Sequence, residues 1–137
     1  MVDTIVIDAG PTGAAPVKTV AGAGYTVVLL EQHTLPRDKS CSGLLISKTM
    51  ELVRNHFSWP IPDNAQCTPR DNRGMVFFDE TGKEYRFEQP GLNIWRSKFD
   101  HWLVCQAVEH GALLQDKTCV LGCESVGSHW DILTTVG

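Results

Sequence analysis

The residues best suited to chemistry lie in a glycine-bearing turn near the start of the chain, Asp8-Ala9-Gly10-Pro11-Thr12-Gly13. The turn follows an apolar run, Val2 to Ile7, and precedes small residues that end at Ala23-Gly24. Glycines at such a turn let the backbone approach a diphosphate, and the next helix offers unpaired N–H groups and a positive dipole end. A second apolar run, Thr26 to Leu30, leads into Glu31, close to the spacing of about 20 residues expected for a ribose-binding acid. The pattern predicts a βαβ dinucleotide-binding unit.

Two residues depart from this pattern. Asp8 stands where the first glycine of G-x-G-x-x-G belongs, and it adds a Cβ and a negative charge near the expected diphosphate. If the helix begins near Pro11, Pro16 lies inside it and removes a hydrogen bond at a cost of about 3 kcal/mol. If the helix begins at Pro16, that proline suits the first helical position, but the phosphate-facing N–H groups are displaced. The unit either binds its dinucleotide or keeps its shape without the ligand.

A second group of reactive side chains lies in the loop after Glu31. The run Pro36-Arg37-Asp38-Lys39-Ser40-Cys41-Ser42-Gly43 carries two cations and a thiol, and its proline and Ser-Gly pair predict an extended, irregular course. Arg37 or Lys39 could reach a phosphate from here, although a solvated connection would have the same composition. A cation beside Cys41, such as Lys39, would lower the pKa of the thiol and raise its reactivity.

The next patterns predict elements that position these groups. Ser47 has the character of an N-cap for a helix of about ten residues, and the polar segment from Trp59 to Arg73 predicts irregular structure. Met75 to Asp79 and Glu84 to Glu88 are typical of the strands of a hairpin. Pro90-Gly91 predicts a turn.

The last part of the chain predicts a helix followed by two strands. Ser97 and Asp100 resemble a capping box at the start of a helix that reaches about His110. Its expected apolar face consists of Phe99, Leu103 and Ala107. Lys117 to Glu124 and His129 to Thr135 predict a final pair of strands.

Composition places the chain among globular proteins. Its 137 residues suit one domain, and 42% hydrophobic residues suffice for a core. The net charge of −4 argues against a nucleic-acid partner, and no apolar run is long enough to predict a transmembrane segment. Five cysteines without a C-x-x-C pair, together with scattered histidines, predict neither a disulfide framework nor a metal site. The N-terminal strand with an early acid is unlike a signal peptide, which predicts a cytoplasmic protein.

Two longer motifs, taken with the glycine turn and Glu31, connect the chain to a known family. They are Pro36-Arg37-Asp38-Lys39-Ser40-Cys41-Ser42-Gly43 and Trp95-Arg96-Ser97-Lys98-Phe99-Asp100-His101-Trp102-Leu103. With them the chain resembles the N-terminal part of the FAD-dependent oxidoreductases that include geranylgeranyl reductases, with aromatic hydroxylases and flavin halogenases as more distant relatives. The resemblance implies an α/β fold: a Rossmann-like βαβ FAD-binding unit with an inserted β-hairpin, truncated relative to the family. It implies a single partial FAD/NAD(P)-binding domain over residues 1–137.

The resemblance also implies which residues contact the cofactor. Residues 10–13 would hold the FAD diphosphate, Glu31 the adenosine ribose, and the backbone of Val120 would face the adenine. Arg96 would contact FAD from the start of its helix. The full set of implied FAD-binding positions is Gly10, Pro11, Thr12, Gly13, Glu31, Gln32, Arg37, Ser42, Gly43, Arg96 and Val120. Cys41 matches a cysteine that lies close to the flavin in the reductases and assists protonation or electron delivery, so it is the implied catalytic residue.

The implied reaction moves electrons from NADPH or NADH to FAD and on to an unsaturated isoprenoid substrate. Full-length members of the family are more than twice as long, and they carry a second FAD motif with a Gly-Asp pair and a substrate domain that this sequence lacks. The alternative is a non-catalytic truncated remnant that binds no cofactor, or that binds a partner chain or a separate C-terminal half. A nicotinamide-binding module is a third possibility, because Glu31 suits NAD over its 2′-phosphorylated form.

Overall fold

The computed structural model describes residues 2–135, and the chain divides into two compact units. The first unit comprises Met1–Arg37 and Asp100–Gly137, and the second comprises Asp38–Phe99. In chain order the elements are β1 (Thr4–Ile7), α1 (Pro11–Gly22), β2 (Val27–Leu30), β3 (Leu44–Ile46), α2 (Ser47–His56), a short 3-10 helix (Asp63–Ala65), β4 (Gln66–Phe78), β5 (Glu84–Ile94), α3 (Arg96–Glu109), β6 (Leu113–Gln115), β7 (Val120–Val126) and β8 (His129–Thr134).

A parallel sheet with the strand order β1-β2-β6 lies at the centre of the first unit. Thr4 pairs with Val27, and Leu29 pairs with Leu114. All four residues of β2 are buried, as expected for the middle strand of a parallel sheet. Helix α1 connects β1 to β2 and buries small residues such as Gly13 against them. This is the βαβ unit that the sequence predicts.

Helix α1 begins at Pro11, which decides between the two starts that the sequence left open. Pro11 lies in the first turn, where a missing N–H has no helical partner to lose, whereas Pro16 lies inside the helix. Residue 16 is exposed, so the carbonyl of Thr12, which loses its helical donor, can bond to water. The start of the helix therefore stays at the glycine turn.

The second unit contains an antiparallel sheet with the strand order β3-β5-β4. Its predicted hairpin is confirmed, with Val76 opposite Arg86 and a tight connection at residues 79–83. The connection is fixed by Asp79, whose carboxylate accepts the backbone N–H groups of Thr81 and Lys83 at 2.9 and 3.0 Å. The hairpin is the insertion that distinguishes this fold from a bare βαβ unit.

The same sheet corrects two predictions about irregular segments. Strand β4 begins at Gln66, within the segment expected to be irregular, and β5 runs through Pro90-Gly91 without a turn. A Cβ on Gly91 would lie 2.4 Å from the carbonyl oxygen of Leu45, so glycine here permits the close approach of β3. Strand β3 has three residues and no periodic pattern, and its pairing could not be inferred locally.

The predicted helices are present, but their starts differ from the expected ones. Helix α2 begins at Ser47 itself, and Ile46 occupies the N-cap position without a side-chain bond. Helix α3 begins one residue before Ser97, because the N–H of Phe99 donates to the carbonyl of Trp95 at 2.9 Å. The expected apolar face of α3 is buried at Phe99, Leu103 and Ala107. Within residues 2–135, no helix has the length and apolar character needed to cross a bilayer.

The predicted final pair of strands forms a separate antiparallel hairpin, β7-β8, in the first unit. Gly127 in its turn has a φ of +62°, which glycine adopts without steric cost. Strand β6, which completes the parallel sheet, was not predicted, because three residues show no periodicity.

The outer part of the β4-β5 hairpin carries exposed apolar side chains. Met75 pairs with Phe87 and Phe77 pairs with Tyr85, so these four residues share one face of the sheet, here called the hairpin face. The rings of Phe77 and Phe87 meet edge to face with centroids 5.6 Å apart. All four side chains are exposed to solvent. Contiguous exposed apolar surface is typical of a region that contacts another protein, a membrane or a ligand.

We predict that Gly13→Ala strongly destabilises the first unit, by about 2 kcal/mol or more. A Cβ at residue 13 would lie 2.0 Å from the carbonyl oxygen of Asp8, which forces helix α1 away from β1. Gly22→Ala in the same helix is the control, since its nearest non-local atom, in His110, would be 3.8 Å from the new Cβ. Urea denaturation followed by circular dichroism measures both. Equal stability of the Gly13→Ala variant and the parent chain would contradict the prediction.

Candidate functional site

The glycine turn joins β1 to the start of α1. Gly10 occupies the N-cap position without a side-chain bond, and its carbonyl accepts the N–H groups of Gly13 and Ala14 at 3.0 and 2.9 Å. The close contact between Gly13 and the carbonyl of Asp8 brings the helix directly against the strand. The first turn of α1 contains no acidic residue. This is the backbone arrangement that suits an anion at the N-terminus of a helix.

Asp8 holds the position of the missing first glycine with an unusual backbone conformation. Its φ is +83°, in the left-handed region where aspartate is among the more tolerant non-glycine residues. Its N–H still donates to the carbonyl of Leu30 at 2.9 Å. Its Oδ2 lies 3.2 Å from the point that a Cβ on Gly10 would occupy. The turn therefore survives the substitution, but a carboxylate now lies against it.

Arg37 ties Asp8 to two other carboxylates in the first unit. Its Nη2 lies 2.7 Å from Asp8 Oδ1, its Nε lies 2.8 Å from Glu31 Oε2, and its Nη1 lies 3.7 Å from Asp100 Oδ2. These four residues are here called the Arg37 cluster. The side chains of Arg37, Glu31 and Asp100 are 7%, 2% and 1% exposed, whereas that of Asp8 is 53% exposed. In formal charge, one guanidinium faces three carboxylates.

The carboxylate of Glu31 is engaged within the protein. Oε2 accepts the N–H of Ala9 at 3.2 Å as well as Nε of Arg37, and Oε1 accepts the N–H of His33 at 2.9 Å. Burial by itself raises the pKa of Glu31, but the bonds from Arg37, His33 and Ala9 outweigh it and lower that pKa below its ordinary value. Glu31 thus links the glycine turn to the segment after β2, and its role at a ribose stays a prediction.

Cys41 is one of the residues that line a cleft of about 400 Å³ in the second unit. The lining of the cleft is formed by residues 38–43, Cys67 and residues 94–97. Gly43 has a φ of +71°, a Cβ there would lie 2.6 Å from the carbonyl oxygen of Ile94, and its own carbonyl accepts the N–H of Ile94 at 2.7 Å. Glycine is therefore required where the loop meets β5, and this contact fixes the residues next to the thiol.

Cys41 is exposed and its pKa is lowered below the ordinary thiol value. The largest cause is the backbone N–H of Gly43, followed by the guanidinium of Arg96 and the hydroxyl of Ser42. Lys39 was the example of a neighbouring cation that the sequence offered, and the cation that contributes to the shift, after the N–H of Gly43, is Arg96 at the start of α3. The arrangement stabilises the thiolate of Cys41 relative to that of an unperturbed cysteine, which raises the reactivity expected of this side chain.

The predicted FAD-binding positions divide between the two units. The first unit contains Gly10, Pro11, Thr12, Gly13, Glu31, Gln32, Arg37 and Val120, and the second contains Ser42, Gly43 and Arg96 together with Cys41. Val120 is the first residue of β7 and is half-buried, while Gln32 is exposed. Sequence reasoning missed the ion pairs of Arg37 with Asp8 and Asp100. The unexpected aspartate in the glycine motif was the available signal.

The chain is similar in sequence to a curated reductase over most of its own length. It is 31% identical over 111 residues to digeranylgeranylglycerophospholipid reductase 1 of Methanopyrus kandleri, and the match covers 80% of this chain and 28% of that protein. No protein-family model matches the chain. The chain therefore corresponds to little more than a quarter of the relative's length.

The fold matches solved structures over almost the whole chain. A geranylgeranyl bacteriochlorophyll reductase-like protein of Thermoplasma acidophilum matches with a TM-score of 0.83 at 17% identity, over 97% of this chain and 34% of the other. The halogenase PltM, solved with phloroglucinol and FAD, matches with a TM-score of 0.72 at 14% identity, over 99% of this chain and 32% of the other. These matches confirm the predicted fold, and the sequence match to the Methanopyrus reductase confirms the resemblance inferred from sequence.

We predict that Glu31 makes the stability of the chain pH-dependent in the acidic range. Because the folded-state pKa lies below 4.5, the stabilisation is complete above that pH and is lost as the pH falls through the folded-state pKa. Glu31→Gln should lower the free energy of unfolding at neutral pH by about 1–3 kcal/mol and flatten its decline between about pH 5 and pH 3. Urea denaturation across this range measures the effect.

The control for Glu31 is Glu124→Gln, which removes an exposed carboxylate from strand β7. It should change the free energy of unfolding by no more than about 0.5 kcal/mol. Parallel pH curves for the parent chain and the Glu31→Gln variant would contradict the assignment.

We predict that Cys41 is alkylated by iodoacetamide with a lower pH midpoint than Cys105. The pKa of Cys105 is raised by burial and then by the charge of Glu109, whereas that of Cys41 is lowered. Arg96→Gln should move the Cys41 midpoint upward and leave the Cys105 midpoint unchanged. Mass spectrometry of the alkylated peptides resolves the two sites. Equal pH midpoints of alkylation at Cys41 and Cys105, or a Cys41 midpoint that Arg96→Gln does not change, would contradict the role assigned to Arg96.

Proposed function

We propose that this chain, a relative of the geranylgeranyl reductase family of FAD-dependent oxidoreductases, binds FAD as part of an enzyme that reduces an unsaturated, isoprenoid-type substrate. The electrons would come from NADPH or NADH. The observation that carries the proposal is the glycine turn between β1 and α1, on a fold shared with a halogenase solved with FAD. Residues 1–137 would then be one partial FAD/NAD(P)-binding domain.

The residues of the glycine turn fit the diphosphate of FAD with one exception. Gly13 lets the start of helix α1 lie against β1, and Gly10 leaves the N-terminus of the same helix without a side-chain cap. Glu31 follows β2 at the position expected for a ribose contact. Residues 10–13 would bind the diphosphate. Gln32 would hold the ribose, and the backbone of Val120 would face the adenine. Glu31 would join the ribose contact by exchanging one of its internal bonds, because its carboxylate is 2% exposed and is bonded to Ala9, His33 and Arg37. The exception is the carboxylate of Asp8, which adds negative charge to the same turn.

In the proposed enzyme the protein residues orient the cofactor and manage a proton. FAD, when bound, supplies the electron transfer to the substrate. Cys41 would hold a proton on Sγ and donate it to a carbon of the double bond, and Arg96 would stabilise the thiolate left behind. The support is the lowered pKa of Cys41, which Gly43 and Arg96 together cause. Ser42 and Gly43 would contact FAD beside Cys41. Arg37 is a further proposed FAD contact, in the first unit.

Further polypeptide would complete the proposed enzyme. The chain spans 28% of the Methanopyrus reductase and 34% of the Thermoplasma protein. The hairpin face exposes four large apolar side chains that a folded protein usually covers. We propose that the remaining part of the family architecture, in the same polypeptide or in a partner chain, covers this face and supplies the substrate site.

The test is retention of FAD by the purified chain. The chain is incubated with FAD, freed of excess by gel filtration, and its visible absorption spectrum is recorded. We expect a flavin band with the resolved shoulders of a bound flavin. Heat-unfolded protein taken through the same column is the control, and it should elute colourless. A folded chain that elutes colourless even from saturating FAD would favour the alternative of a remnant without cofactor.

A further inference from the structure

We propose that Asp8 is a specificity-determining residue that opposes the binding of diphosphate-containing ligands at the glycine turn. The inference rests on the proposed function and deepens it. Asp8 holds a carboxylate where the diphosphate would approach the backbone, and it occupies the guanidinium group that would otherwise attract a phosphate. FAD binding by this chain is therefore weakened by its own side chain.

The position of the carboxylate is the first argument. Asp8 Oδ2 lies 3.2 Å from the point that a Cβ on Gly10 would occupy, and Nη2 of Arg37 lies 3.7 Å from the same point. The absence of a side chain at Gly10 is what lets a diphosphate approach this backbone. The space that glycine leaves open is thus bordered by an ion pair, of which the carboxylate of Asp8 is the exposed member and the guanidinium of Arg37 the buried one.

The balance of charge is the second argument. Arg37 is the one cation of the Arg37 cluster, and Glu31, Asp8 and Asp100 already share it. The carboxylates of Glu31 and Asp100 are buried, while that of Asp8 is half-exposed and lies on the solvent side of the cluster. A diphosphate arriving from solvent meets the Asp8 carboxylate, and like charges a few ångströms apart repel each other strongly.

The backbone of Asp8 is the third argument. A φ of +83° is the conformation for which glycine is normally chosen, so the turn has the shape of the motif although the residue differs. The departure from the motif therefore lies in the side chain, and changing that side chain should restore ligand affinity without remodelling the turn. Asp8→Asn removes the charge and keeps the shape, because asparagine also tolerates this region. Asp8→Gly removes the charge together with the rest of the side chain, and glycine adopts the same backbone conformation.

The experiment measures the affinity of the 137-residue chain for FAD, ADP and adenosine by isothermal titration calorimetry. We expect Asp8→Asn and Asp8→Gly to bind FAD and ADP at least about tenfold more tightly than the parent chain. Adenosine, which lacks the diphosphate, should bind all three proteins equally. Raising the salt concentration from about 0.05 M to about 0.5 M should reduce the difference in ADP affinity between the parent chain and the Asp8 variants, because salt screens the repulsion between Asp8 and the diphosphate.

The control is Asp131→Asn, which removes the same charge from an exposed position on β8 and should leave all affinities unchanged. Equal affinities of the parent chain and both Asp8 variants for FAD and ADP would overturn the inference and leave the proposed function standing. Tighter binding of adenosine in step with ADP would also overturn it. Failure of every protein to bind FAD, with folding verified by circular dichroism, would remove the proposed function and this inference together.

Discussion

The buried guanidinium of Arg37 is the interaction on which the candidate diphosphate site depends. It joins the turn after β1 through Asp8, the end of β2 through Glu31, and helix α3 through Asp100. These segments are far apart in sequence, and one side chain with 7% exposure holds all three. Removing one partner from such a buried group costs more than the intact pair contributes, because a charge is left uncompensated. The cluster thus fixes the turn and also sets its electrostatic character.

Two physical requirements at the glycine turn act in opposite directions. Gly13 allows the helix to start within contact of the Asp8 carbonyl, which creates an environment favourable to an anion. The side chain of Asp8 brings a protein anion to the same place. In the proposed site, the backbone therefore suits a diphosphate, while the charge of Asp8 opposes it. Similarity of fold to a halogenase solved with FAD cannot reveal this, because such a comparison matches the course of the backbone and not the charges of side chains.

The parts of the fold that were predictable are those determined by local pattern. The turn, the two apolar strands around it and Glu31 follow from spacing, and the β4-β5 hairpin follows from alternation and its Gly-containing connection. Long-range contacts were not predictable in this way. Gly91 serves the approach of Leu45 from another strand, and β6 is too short to show a period.

In the candidate site, too, single residues could be identified from local motifs, whereas their contacts with residues distant in sequence could not. Cys41 was identified from its motif, whereas the cation that lowers its pKa, Arg96, lies 55 residues further along the chain and was not linked to it by the sequence. Asp8 was recognised as a departure from the glycine motif. Its ion pair with Arg37 required the structure, since 29 residues separate the two partners.

The most direct test of this account is a nitrogen–proton NMR titration of the Asp8→Asn chain with FAD. The account predicts that the amide resonances of Gly10, Thr12 and Gly13 shift saturably as FAD is added, because the diphosphate binds at the start of α1. The same resonances in the parent chain should shift at higher FAD concentrations. Saturable binding that leaves the three amides unmoved, or no shift anywhere in a folded chain, would contradict the placement of FAD at the glycine turn.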